Sequence, residues 1–175
     1  MSVRLHDVRQ LPAGVLATAA LSVDTRPRGL VEITREVQRF IQEIAAEEGI
    51  VFAYLRHTSA SLVIQENADP DVRSDLVKAL DRLAPETAGW IHDSEGPDDM
   101  PSHVKAMLTG VSLHVPVIAG ALGLGTWQGI FLAEHRSRPH TREVLLQFIG
   151  AQRTRSARDV GTAEGDQEPP IGAGR

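Results

Sequence analysis

The sequence contains no cysteine, few aromatic residues and no excess of basic charge. Without cysteine, disulfide bonds, a thiolate nucleophile and Cys-ligated zinc or iron–sulfur centres are excluded. Because 18 basic residues face 23 acidic ones, the net charge of -5 argues against a general nucleic-acid binder, which needs clustered Lys and Arg. No signal peptide is apparent, and proline and glycine interrupt the longest apolar stretch. We therefore expect a cytoplasmic location and no membrane or nucleic-acid partner.

Composition predicts one domain, residues 1–150, followed by a disordered tail, residues 151–175. Hydrophobic residues make up 42% of the chain, which is enough for a core. The tail is mostly glycine, proline and polar residues, and it buries too little apolar surface to offset the entropy of ordering.

Hydrophobic patterning within the domain predicts an α+β fold. Alternating or continuous apolar positions give about seven strands, arriving in neighbouring pairs and a final run, so we expect a largely antiparallel, sandwich-like sheet. Thr34 is predicted to cap a helix that runs to about Glu48, where Gly49 ends it. Asp69 is predicted to cap a second helix, and Pro101 opens a short third one, giving two or three helices.

Four polar clusters are candidates for chemistry. His57-Thr58-Ser59-Ala60-Ser61 follows a buried strand and suits an anion or a polar substrate group, although its hydroxyls could equally satisfy a turn. In Glu66-Asn67-Ala68-Asp69-Pro70, capping of the next helix competes with a functional role.

The third cluster, residues 92–103, holds four carboxylates, two imidazoles and no basic residue. Such a loop is costly to compact unless a cation neutralises it, and the competing interpretation is a solvated acidic loop. The fourth cluster is a glycine-flanked Trp127, followed by Glu134-His135-Arg136, with solvated charges at a strand end as its alternative. His6, His114 and His140 lie outside these clusters and are interpreted as surface or structural residues.

These blocks resemble the YjbQ family. The resemblance is carried by Ser112-x-x-Val115-x-Val117-x-x-Gly120-x4-Gly125-Thr126-Trp127-Gln128-x-Ile130 and by the clusters at 57–61, 66–73, 95–105 and 134–136. It implies a small α+β homotrimer with a secondary thiamine-phosphate synthase activity. That reaction joins hydroxymethylpyrimidine diphosphate to thiazole phosphate and releases diphosphate, so the expected partner is a phosphorylated small molecule.

Departure of a diphosphate requires its charge to be neutralised, which suits a divalent metal, magnesium or alternatively zinc or manganese. The residues expected to be catalytic are His57, Ser59, His103, Glu134, His135 and Arg136. Those expected to bind substrate are Thr58, Ser61, Asn67, Lys105, Trp127 and Gln128. The expected metal ligands are His92, Glu95, Asp98, Asp99, His103 and His135.

Two other functions stay open at this point. One is a metal-dependent hydrolase or lyase with His92, His103 and His135 as ligands and Glu95 or Glu134 as the base. The other is a non-catalytic trimeric protein that binds a small ligand. Tightly retained zinc favours the hydrolase, and saturable binding without turnover favours the binding protein.

Overall fold

The computed structural model describes Gln10 and residues 12–153. In this part of the chain the elements, in order, are β1 (Val15–Asp24), β2 (Gly29–Glu32), α1 (Thr34–Glu43), β3 (Ala46–Leu55), β4 (Ala60–Glu66), α2 (Pro70–Leu83), α3 (Asp99–Thr109), β5 (Ser112–Ile118), β6 (Ala121–Leu122), β7 (Gln128–Glu134) and β8 (Thr141–Gln152). The expected α+β fold with antiparallel sheets and three helices is confirmed. β8 ends two residues beyond the expected domain boundary, and the predicted tail from residue 154 onward lies outside the described residues.

The strands form two sheets that enclose the core. One has the order β1-β8-β3-β5-β6 and the other the order β2-β7-β4. Along β8, Val144, Leu146 and Phe148 are buried while the intervening residues are exposed, as the period of two along a strand requires. Buried residues of both sheets and of α1 join one hydrophobic cluster. No helix within the described residues is long and apolar enough to cross a membrane.

The other face of the three-stranded sheet is covered by helices. α2 contacts β2, and α3 contacts β4. The guanidinium of Arg73 in α2 lies 5.9 Å from the ring centroid of Phe131, whose side chain alternates with the inward-facing Ile130 and Leu132. α2 and α3 therefore lie outside the core that the two sheets share with α1.

The predicted end of α1 at Gly49 is wrong. The helix ends at Glu43, and Ala45 takes a positive φ of 49°, which starts the turn into β3. Gly49 lies inside β3 opposite Gly150. A Cβ at Gly49 would lie 2.3 Å from the backbone oxygen of Ile149, so this glycine permits close approach of β3 and β8.

Of the two predicted N-caps, the structure contains one. Thr34 is the first residue of α1 and does not cap it, because its Oγ1 accepts a hydrogen bond of 2.9 Å from the N–H of Ile130. Asp69 caps α2 as predicted, since its Oδ1 accepts from the N–H of Asp71 at 2.8 Å. Pro101 lies in the first turn of α3, where the missing N–H costs no helical hydrogen bond.

Candidate functional site

One end of the sandwich gathers two of the predicted clusters. The segment 56–59 connects β3 to β4, and Ala60 at the start of β4 pairs with Glu134 at the end of β7. Antiparallel pairing therefore places His57–Ser59 beside Glu134–Arg136, although they are far apart in sequence. Fold topology, and not local sequence, produces this proximity.

An open cleft of about 850 Å³ lies against the 56–59 segment. One wall consists of residues 54–59, and the other comes from α3 and the residues after it, including His103 and Met107. Tyr54 and Met107 are large apolar side chains that stay at least half exposed there. Four predicted site residues line this single cavity: His57, Thr58, Ser59 and His103.

His92, Asp99 and His103 form a cluster at the edge of the cleft. The Nε2 atoms of His92 and His103 lie 2.8 Å and 3.3 Å from the same oxygen, Oδ2 of Asp99. The three possible ligand atoms lie within 4.8 Å of one another, with Asp99 buried and His92 exposed. Among the six predicted metal ligands, these are the three that the fold brings together.

The hydrogen bonds of His103 fix its tautomer. Nδ1 lies 3.0 Å from the backbone oxygen of Thr58, which only accepts hydrogen bonds, so Nδ1 carries a proton. In a neutral ring, Nε2 then presents its lone pair to the Asp99 carboxylate at 3.3 Å. These electron-rich atoms repel each other unless a proton or a metal cation lies between them. Histidine ligands typically donate their second N–H to a carbonyl in this way.

Asp98 and Glu95 do not join this cluster. Asp98 Oδ2 accepts hydrogen bonds from the N–H of Ser137 at 2.7 Å and from Nε of Arg136 at 3.0 Å. Burial raises the pKa of Asp98, but these hydrogen bonds outweigh burial and hold the pKa well below its usual value. Arg136 also pairs with Asp99 and donates to the backbone oxygen of Glu95 at 2.9 Å, so this arginine anchors the acidic loop.

His135, Ser61 and Lys105 form a separate polar cluster under α2 and α3. Nε2 of His135 lies 2.9 Å from Oγ of Ser61, and both residues are buried. Burial, and then the charge of Lys105, lower the pKa of His135 to about 4. Nζ of Lys105 donates to Oδ1 of Asp81 at 2.5 Å. None of these side chains lines the cleft, so their predicted roles at substrate find no support in this geometry.

A buried ion pair joins Glu134 to Arg142 behind the cleft. Nε and Nη2 of Arg142 donate to the two carboxylate oxygens at 2.8 Å and 2.7 Å, and Thr25 Oγ1 donates at 2.9 Å. Burial raises the pKa of Glu134, but the hydrogen bonds from Arg142, the backbone of Arg136 and Thr25 bring it below its usual value. The carboxylate is therefore ionised and fully engaged, which is a poor state for a general base.

Asn67, Trp127 and Gln128 lie at the opposite end of the three-stranded sheet. Glu66 pairs with Gln128, whereas Ala60 pairs with Glu134. Six residues of strand separate the two positions, or roughly 20 Å. Trp127 is 65% exposed. Within one chain, Trp127, which was expected to bind substrate, therefore does not reach the His57–Ser59 segment.

The sequence interpretation missed Arg142 and Thr25. Arg142 occupies the inward phase of β8, two residues before Val144, and it is buried. A charged residue on the apolar phase of a strand needs a buried partner, so this pattern was a usable signal. Thr25 follows β1, and no comparable sequence pattern identifies it as a partner of Glu134.

Comparison with known proteins gives consistent matches. The profile of the UPF0047 protein YjbQ-like family matches residues 19–151. The UPF0047 protein sll1880 of Synechocystis is 47% identical over 131 residues, covering 74% of this chain and 89% of the relative. The UPF0047 protein YjbQ of Salmonella typhimurium is 43% identical, covering 74% and 95%.

Solved structures agree with these matches. The conserved hypothetical protein TT1486 of Thermus thermophilus has a TM-score of 0.67 at 38% identity, covering 74% of this chain and 98% of that one. A YjbQ/UPF0047 family protein of Clostridium acetobutylicum has a TM-score of 0.70 at 34% identity, with the same coverage. The sequence motifs, the fold and these relatives together show that the chain belongs to the YjbQ-like UPF0047 family.

Proposed function

We propose that this protein is a divalent-metal-dependent enzyme that acts on a phosphorylated small molecule in the cleft beside His57–Ser59. The observation that carries the proposal is the convergence of His92, Asp99 and His103 at the rim of that cleft. His103 belongs to both features, because it lines the cavity and its Nε2 faces Asp99. A cation held there would lie within reach of a ligand in the cleft.

The donor set suits a transition metal better than magnesium. Two imidazoles and one carboxylate favour zinc or manganese, whereas magnesium prefers oxygen ligands alone. A bound divalent ion would supply Lewis-acid neutralisation of phosphate charge. The protein's own contribution is orientation: Thr58 holds the His103 ring through its backbone oxygen, and Arg136 holds the Asp99 carboxylate.

The reaction proposed first is the secondary thiamine-phosphate synthase reaction. It is the reaction that the family resemblance implies, and it is supported by a cleft that combines polar groups at His57–Ser59 with apolar surface at Tyr54 and Met107. A substrate with a heteroaromatic ring and a diphosphate group requires both kinds of surface. In this proposal Tyr54, which the sequence interpretation did not single out, takes the substrate-binding role that was expected of Trp127.

A metal-dependent hydrolase is the second candidate, and the imidazole-rich donor set favours it. The ligand set expected for it requires revision, because His135 packs against Ser61 and away from His92 and His103. Glu134 is also paired with Arg142 and does not face the cluster as a free base.

We also propose that the protein self-associates as a trimer and that it is cytoplasmic. The outer face of the five-stranded sheet exposes Leu16, Tyr54, Leu145 and Ile149, which are neighbours by register, Leu16 with Ile149 and Tyr54 with Leu145. Gln147 separates these two pairs along β8, and exposed apolar surface of this kind marks interaction sites. Light scattering should give three times the chain mass of 19.0 kDa, and a monomer mass would contradict the trimer.

Metal content tests the site directly. The full chain is incubated with zinc or manganese, dialysed and analysed by plasma mass spectrometry, beside the double variant H92A/H103A. The control is H114A, which removes an exposed histidine on β5. We expect about one ion per chain in wild type and control and none in the double variant. Equal metal content in all three proteins would refute the cluster as the site.

Turnover separates the candidate reactions. With metal present, hydroxymethylpyrimidine diphosphate and thiazole phosphate should give thiamine phosphate, and S59A should slow the reaction. Release of inorganic phosphate from either substrate without coupling would favour the hydrolase. Saturable binding of a precursor without any product would instead indicate a binding protein.

A further inference from the structure

Arg142 lies directly behind the wall of the cleft that His57 and Ser59 form. Its side chain is 6% exposed and makes the bidentate pair with Glu134. Beyond that pair, Nη2 donates to Oγ of Ser59 at 3.2 Å, and Nη1 lies 3.4 Å from Nδ1 of His57. The guanidinium therefore connects the buried ion pair to two residues that line the cavity.

The contact with Arg142 decides what the Ser59 hydroxyl can do. Arginine donates hydrogen bonds and never accepts them, so Oγ of Ser59 is the acceptor in this contact. The hydroxyl hydrogen of Ser59 then points away from the guanidinium, and the cleft adjoins Ser59. A hydroxyl polarised by a buried cation is a strong donor to an anion.

His57 is constrained by the same contact. Its Nδ1 lies 3.4 Å from Nη1 of Arg142 and its Nε2 lies 3.3 Å from the backbone nitrogen of Glu143, and a neutral ring accepts only one of these two hydrogen bonds. A protonated imidazole has no acceptor for either group, so both contacts disfavour the imidazolium. Burial and then Arg142 lower the pKa of His57, against smaller opposite effects of Glu134 and Glu143.

We infer that Arg142 is a positioning residue, which anchors the His57–Ser59 segment and turns the Ser59 hydroxyl towards an oxyanion of the substrate. The inference rests on the proposed function for the class of that anion, a phosphate or diphosphate. If Arg142 served only to form a buried ion pair at the end of the core, its contact with Glu134 would be sufficient. The additional contacts to Ser59 and His57 are what assign the second role.

Titration of His57 tests the anchoring without any substrate. The imidazole signals are assigned by NMR and followed with pH in wild type, R142M and the control R153M. Arg153 pairs with Glu47 near the start of β3, at the far end from Tyr54. The groups that act on His57 are Arg142, Glu134, Glu143 and His140.

We expect the titration midpoint of His57 to rise in R142M and to stay unchanged in R153M. If R142M does not fold, E134Q/R142M removes both buried charges, and a rise is still expected because Arg142 acts on His57 more strongly than Glu134 does. An unchanged midpoint in a folded Arg142 variant would overturn the anchoring.

Titration with inorganic pyrophosphate tests the hydroxyl donor. Calorimetry compares wild type with S59A and with S112A, which removes an exposed hydroxyl on β5. We expect S59A to bind pyrophosphate about tenfold more weakly, since one hydrogen bond to a charged group is lost, and S112A to bind as wild type does. Equal affinity in S59A would overturn the donor role. If wild type binds no pyrophosphate, the donor role and the proposed substrate class both fail, while the His57 titration still judges the anchoring.

Discussion

Replacing His135 with glutamine should flatten the dependence of stability on pH between about pH 6.5 and 4. His135 is buried against Ser61, and burial with the charge of Lys105 lowers its pKa from 6.5 to about 4. Over this range the unfolded chain takes up a proton at His135 and the folded protein does not. The folded state is therefore destabilised as pH falls through this window, and it recovers above the unfolded pKa.

The size of the effect follows from the shift. A change from 6.5 to about 4 corresponds to roughly 2.5 pKa units, or about 3 kcal/mol, lost almost linearly at about 1.4 kcal/mol per pH unit. That is a large part of the 5–15 kcal/mol typical of domain stability. Asp98 and Glu134 have lowered pKa values, so their contributions are lost at lower pH, mostly below this window.

Urea unfolding of wild type and H135Q at several pH values between 4.5 and 7 measures the difference. Glutamine cannot ionise, but it keeps a polar group for Ser61. The free energy of unfolding of wild type should fall more steeply than that of H135Q as the pH decreases. Parallel curves for the two proteins would refute the assignment of His135 as a neutral buried histidine.

Two further substitutions test the fold that supports the site. G49A places a Cβ 2.3 Å from the backbone oxygen of Ile149. We therefore expect urea unfolding to show that G49A is destabilised by roughly 2 kcal/mol or more. A variant as stable as wild type would exclude this close approach of β3 and β8. T34V removes the acceptor for the N–H of Ile130 and should cost about 1–2 kcal/mol, whereas T18V on the exposed phase of β1 should cost little. Equal stability of T34V and T18V would mean that this hydrogen bond contributes nothing.

Most helices and strands could be predicted from local sequence, because hydrophobic periodicity and capping depend on residues only a few positions apart. The α+β fold with antiparallel strands and the Asp69 cap of α2 were predicted correctly. The end of α1 was not, because glycine is common both after helices and where strands approach closely. Only the pairing of Gly49 with Gly150 distinguishes the two uses.

The candidate site, too, could be predicted only in part from local sequence. Residue types alone indicated that His57–Ser59 and the acidic loop carry chemistry, because imidazoles, hydroxyls and carboxylates are concentrated there. Which of them meet depends on strand register and helix phase: Asp99 and His103 share one face of α3, whereas His135 contacts Ser61 and the adjacent Glu134 pairs with Arg142.

Composition and local periodicity were thus sufficient for the fold class and most strands, and the short motifs carried the family resemblance, since all of these depend on neighbours along the chain. The contact of Arg142 with Ser59 and the separation of Trp127 from the cleft depended on strand pairing between residues distant in sequence, whereas the selection of three metal-ligand candidates from six depended on how residues 92–103 fold into α3. Strand pairing and helix phase of this kind form only in the folded protein, and the local pattern showed no more than that Arg142 lies on the inward phase of β8 and needs a buried partner.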